Sequence, residues 1–156
     1  MNRLEMMGRR VALTFSLAFL ASTSGSIRQV SPYHTESCDA TLWEDVYTPA
    51  RLVLIDPCVS VSGTIIEIEH ETDGDDHILL LPDQGYEGIT DNRLFGANIQ
   101  FQKSALVTEA IPVDGELQNF GVQVGDHVQM SGSLVYDTWH HNWLEIHPIT
   151  SVHIDR

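Results

Sequence analysis

Val59-Ser60-Val61-Ser62-Gly63-Thr64-Ile65-Ile66-Glu67-Ile68-Glu69-His70-Glu71 leads directly into Thr72-Asp73-Gly74-Asp75 and then His77-Ile78-Leu79-Leu80-Leu81. Val59, Val61, Ile65 and Ile68 alternate with Ser60, Ser62, Thr64 and Glu67, the period of a strand with one covered face. Gly63 falls inside that strand and predicts a bulge or a sharp bend. Asp73-Gly74 supplies the positive φ of a tight turn, so His77 to Leu81 returns as the second strand of a hairpin.

Downstream, Ala105 to Ile111, His127 to Tyr136 and Trp143 to Ile154 are rich in β-formers and predict three more strands. Between the second and third lies a long mixed insert, Pro82 to Ser104, in which Asn98 to Gln102 either pairs as a strand or wanders. A short helix is expected around Glu116 to Phe120. Upstream, Leu42, Trp43 and Val46 have helical spacing within Ala40 to Tyr47, Arg51 to Ile55 leads into a strand, and Asp56-Pro57 predicts a turn. The sum is an all-β chain: a small five-stranded OB-like β-barrel with a long loop insert and at most one short helix. A β-sandwich is the alternative and ordinarily needs more strands.

The chain has 156 residues, suited to one domain. Arg3, Arg9 and Arg10 precede the uncharged run Val11 to Ala21 and the small residues Ser22-Thr23-Ser24-Gly25-Ser26, the order of a secretory signal peptide. The expected organisation is a signal over 1–24, an extended lead-in over 25–50, and the barrel over 51–156. The protein is then exported, periplasmic or extracellular, with no membrane span after cleavage. The two cysteines, Cys38 and Cys58, form a disulfide on that reading, tying the lead-in to the barrel.

Formal net charge is −14; residues 1–24 carry three arginines and Glu5, a net of +2, so the remainder carries −16. Such a surface repels phosphate backbones, which makes nucleic acid an unlikely partner. The aromatic residues that stack bases exist, but a basic groove does not. A nuclease of the staphylococcal type would need arginines beside its acids, and Arg51 and Arg93 could serve only by coincidence.

The chemistry concentrates in Trp139-His140-His141-Asn142-Trp143-Leu144-Glu145-Ile146-His147-Pro148. Strand geometry places Trp143, Glu145 and His147 on one face. Trp139, His141, Trp143, Glu145 and His147 are therefore the candidate ligand-binding set, aromatic groups giving contact area and polar groups orientation. The partner would be a small molecule or a protein. A second reading gathers His77, His141, Glu145 and His147 around a divalent metal such as zinc, giving a metal-dependent hydrolase of phosphodiesterase or nuclease type. The structural alternative has Glu145 and His147 hydrogen-bonding within the barrel. Asp73, Asp75 and Asp76 read as a hairpin turn with solvated acids, since the spacing of a calcium loop is absent.

Arg51-Leu52, Cys58-Val59-Ser60-Val61-Ser62-Gly63-Thr64, Asp73-Gly74-Asp75-Asp76-His77, Gly125-Asp126-His127-Val128 with Ser131-Gly132, and His141-Asn142-Trp143-Leu144-Glu145-Ile146-His147-Pro148 together resemble a group of exported bacterial and archaeal proteins with an OB-like barrel. That family pattern has glycine where this chain has Asn142, a substitution that a turn accepts. The resemblance implies the fold and export and brings no activity.

Overall fold

Strand β1, Leu52–His70, is 19 residues long and serves two neighbours. A computed structural model describes residues 38–86, 89 and 96–155. The signal expected over 1–24, the lead-in before residue 38, and Arg93 lie outside these. The first half of β1 pairs antiparallel with β6, His127–Asp137, and its second half with β2, Asp76–Pro82. Gly63 and Thr64 pair on both sides. A Cβ on Gly63 would lie 2.3 Å from the Leu81 carbonyl oxygen, so this glycine marks a close backbone approach. The bulge itself comes later, between Ile65 and Glu67. Asp56-Pro57 does not interrupt the strand as a turn; it is taken up in register shifts between Leu54 and Val59.

Strand β2 pairs with β3, Leu106–Ala110, which pairs in parallel with β7, Leu144–Ile154, and β7 returns antiparallel to β6. The five long strands thus close as β1-β2-β3-β7-β6 in one ring, not as two sheets. Two further expectations fail. Helix α1, Gly96–Phe101, stands where a strand or loop was expected. It is fixed by buried Asn98, whose amide donates to the carbonyls of Ala105 and Leu144 and accepts from the Leu144 N–H at 2.8 Å. No helix forms over Glu116 to Phe120; instead β4, Pro112–Val113, and β5, Glu116–Leu117, make a small hairpin over Asp114-Gly115. Gly115 there has φ +82°.

Alternation sorts the side chains into two layers. Val61, Ile65, Ile78, Leu80, Leu106, Met130, Leu144 and Ile146 fill the interior. Their neighbours along each strand face outward but are not all solvated. Leu79, Ala105 and Val107 with Trp143 form one outer cluster; Val46, Leu52, Ile111 and Val135 with Trp43 form another. The second is covered by a 3-10 turn, Ala40–Glu44, capped by Asp39, which accepts from the Thr41 N–H. The Cys38–Cys58 disulfide ties that segment to β1. Among the described residues no helix is long and apolar enough to cross a membrane.

Two predictions follow from this packing. A Cβ on Gly132 would meet the Pro148 carbonyl oxygen at 2.2 Å and Ile146 Cγ2 at 2.5 Å, whereas one on Gly96 meets open space. Gly132→Ala should therefore destabilise by about 1–3 kcal/mol in denaturant unfolding, and Gly96→Ala should not. Equal effects would contradict the close approach.

His127 clamps two strand ends, donating from Nδ1 to Asp155 at 2.7 Å and from Nε2 to Asp83 at 2.9 Å. The hydrogen bonds to Asp83 and then Asp155 raise its pKa above the ordinary 6.5. Because the folded value is the higher, the clamp's contribution is full below about 6.5 and is lost as pH rises through the folded pKa. NMR titration should show His127 above the ordinary value; a midpoint at 6.5 or lower contradicts the clamp.

Candidate functional site

The outer face between the two apolar clusters is polar and yet buried. In β7, Glu145 lies in register between Val107 on β3 and Val135 on β6. Two residues on, His147 is lifted by a bulge: between the pairs Gly132–Ile149 and Leu134–Ile146, the two residues His147 and Pro148 oppose Ser133 alone. Glu145 and His147 are both 0% exposed. On β2 and β3, His77 and Glu109 are direct cross-strand partners, and both are buried. Asp75 closes the turn before β2 with its side chain buried. Asp137 ends β6, and Arg51 ends the second 3-10 turn, Pro49–Arg51.

Arg51 and Asp137 form a direct buried ion pair, and the same guanidinium Nη1 lies 3.8 Å from Glu145 Oε1. Thr138 locks the backbone of Arg51 by donating its N–H and its hydroxyl to that carbonyl. Asp137 also accepts from the N–H groups of Trp139 and His140 and from His140 Nδ1, so it shapes the loop leading to β7. Trp143 donates from Nε1 to Glu145 Oε2 at 2.6 Å. His77 donates from Nδ1 to Glu109 Oε1 at 2.9 Å and from Nε2 to Gln102 Oε1 at 3.3 Å.

The electrostatics are those of crowded carboxylates. Burial opposes charge on His77, but its hydrogen bond to Glu109 and the charge of Glu109 outweigh this and push it up to about 9. Burial pushes Glu109 up, against the hydrogen bond from His77, and the nearby charge of Glu145 adds to the rise. Burial likewise pushes Asp75 up to about 6.

The sequence-predicted residues separate. Glu145 and His147 lie beneath the surface, so they do not belong to an exposed ligand face. Trp143 is half-buried above them, and Trp139 is 65% exposed. His141 turns away to stack on Phe101, with centroids 4.2 Å apart. The proposed metal quartet therefore does not converge. Among the described residues, the group whose ligand atoms all lie within 4.8 Å of one another is Asp75, Glu109 and His147. Sequence reasoning had only His147 of these. Asp75 read as a solvated turn acid, and Glu109 was passed over as part of a strand. A lone charge inside Leu106-Val107-Thr108-Glu109-Ala110-Ile111 was the available signal.

Beside this buried group a surface cleft of about 270 Å³ is lined by Glu67, Glu69, Glu71, His77, Phe101 and Trp143, with Lys103 at its edge paired to Glu67. Two loop histidines brace its aromatic walls: His140 stacks on Trp143 at 5.1 Å, and His141 on Phe101. No protein-family model matches the chain, and no curated protein matches it in sequence.

The buried ion pair can be tested by mutation. Arg51→Ala leaves the Asp137 carboxylate buried without its cation, and should destabilise by roughly 3–5 kcal/mol in denaturant unfolding. A loss within about 0.5 kcal/mol, the range of ordinary surface substitutions, would contradict this account of the pair.

Proposed function

We propose that the protein is an exported OB-like β-barrel that acts as a binding module for small organic cations, taking an ammonium or guanidinium group into the Trp143 cleft. The observation that carries this reading is the composition of the cleft: three glutamates around two aromatic rings, with its two basic side chains already paired, Lys103 to Glu67 and His77 to buried Glu109. A cation there gains from the carboxylates and from the indole face, a contact worth about 0.5–2 kcal/mol.

The OB-like part of the reading is supported by the strand order. With the small β4–β5 hairpin set aside, the ring runs first, second, third, fifth, fourth, and its third and fifth strands are parallel. Export is compatible with the Cys38–Cys58 disulfide. The net charge of −16 outside residues 1–24 favours cationic ligands and disfavours nucleic acid. The other reading, a metal-dependent hydrolase, needs a metal position open to substrate. The unpaired ligand atoms of Asp75, Glu109 and His147 are closed from solvent, so the binding reading takes precedence.

Calorimetric titration with butylammonium, butylguanidinium, butanol and butyrate provides the test, with a lysine-rich peptide as a separate arm. The expected result is binding of the two cations only, weakened roughly tenfold by Glu71→Gln and by raised salt. Tighter binding of the peptide than of the free amines would assign the cleft to a protein partner. Equal binding of butyrate and butylammonium, or no binding of any cation, contradicts the proposal.

A further inference from the structure

We infer that Asp75, Glu109 and His147 form a site for one divalent transition-metal ion, set in the buried layer between the barrel and its outer cover. The inference is independent of the cleft's ligand. It begins with unpaired atoms. Asp75 Oδ2, Glu109 Oε2, Glu145 Oε1 and both ring nitrogens of His147 are buried without a hydrogen-bond partner. A buried polar atom left unpaired costs about 1–3 kcal/mol, and charged ones cost more. Glu145 Oε1 and His147 Nδ1 lie 3.3 Å apart and face each other; the remaining three, on Asp75, Glu109 and His147, indicate a shared partner rather than three separate defects.

The atoms that do have partners make the pattern sharper. Glu109 gives Oε1 to His77 and keeps Oε2 unpaired. Glu145 gives Oε2 to Trp143 and keeps Oε1, which lies 3.3 Å from His147 Nδ1. A carboxylate beside one imidazole nitrogen fixes the ring and leaves the other nitrogen for a metal. Glu145 is thus a positioning residue, Nε2 of His147 is the donor, and His77 orients Glu109 in the same way.

Charge leads to the same conclusion. Asp75, Glu109, Asp137 and Glu145 are all buried, and the one guanidinium among them, Arg51, sits on Asp137 and Glu145. Asp75 and Glu109 are left facing His147. His77 pairs with Oε1 of Glu109 alone, and a divalent ion would take up the remaining oxygens, Glu109 Oε2 and Asp75 Oδ2. Two carboxylate oxygens with one imidazole suit zinc, manganese or iron(II), and the nitrogen donor counts against magnesium and calcium. The three ligands come from the 71–75 turn, β3 and β7, so the ion would tie together segments far apart in sequence. The three donors leave one position of a tetrahedral ion unfilled, but they are closed from solvent, so the ion would tie the fold together rather than admit a substrate.

The test uses the full chain without a purification tag, so that no added histidines bind metal. Elemental analysis after growth in metal-replete medium should give one transition-metal ion per chain. Removing it with a chelator should lower Tm, and returning zinc or manganese should restore it. X-ray absorption of the loaded protein should show one imidazole with oxygen donors. Asp75→Asn should lose the metal, and Glu145→Gln should weaken it roughly 10–100-fold. If Asp75→Asn does not fold, the absorption spectrum decides the ligand set by itself. Trace metal only, with Tm unmoved by chelator and by added zinc or manganese, overturns the proposal. So do two or more imidazoles per ion, or full retention of metal by a folded Asp75→Asn.

Discussion

Four carboxylates packed with one guanidinium on the outside of a barrel is the constraint that organises this molecule. Moving a carboxylate out of water costs several kcal/mol even after relaxation, so Asp75, Glu109, Asp137 and Glu145 must each be compensated. Arg51 compensates Asp137 and approaches Glu145. His77 compensates Glu109, and Trp143 caps Glu145. These partners arrive from the 3-10 turn before β1, from β2, and from the start of β7. The outer layer is therefore assembled by its charges as much as by its two apolar clusters.

The accessible chemistry is built on that layer. Trp143 donates its indole N–H to Glu145, and its ring stacks on His140 and meets His77 edge-on at 5.6 Å. His77 in turn both lines the cleft and bonds Glu109. The cleft's aromatic wall is thus anchored through Trp143 to a buried carboxylate. The loop 137–143 contributes through its histidines, His140 stacked on Trp143 and His141 on Phe101.

Alternation along the chain revealed the strands because the inward positions are mostly apolar while the outward ones mix apolar and polar residues, a period that survives whatever covers the outside. The same alternation concealed the site. Glu109 and Asp137 have the outward position of a solvated residue, and only cover from the Arg51 segment and the 71–75 turn makes them buried. Asp75 sits in an Asp-Gly turn whose local chemistry explains it completely, so no local signal sets it apart from Asp73. Helix α1 was illegible for a related reason: Asn98 is held by the backbone of Leu144, 46 residues away. The β4–β5 hairpin was different, since Asp114-Gly115 carried a turn signal that the helical reading of Glu116 to Phe120 overrode. Glu145 and His147 were legible as a pair on one face, and their burial agrees with the reading in which they interact within the barrel rather than with the one that exposes them to a ligand.

The central claim is that the buried carboxylates near His147 are balanced by a metal ion and not by protons. Anomalous diffraction from crystals of the purified protein, with data on both sides of the relevant absorption edge, addresses this directly. The account predicts one anomalous peak at bonding distance from Asp75, Glu109 and His147, with Glu145 beside the imidazole. Well-ordered side chains with no anomalous peak among them, or a peak at His141 or in the cleft instead, would contradict it.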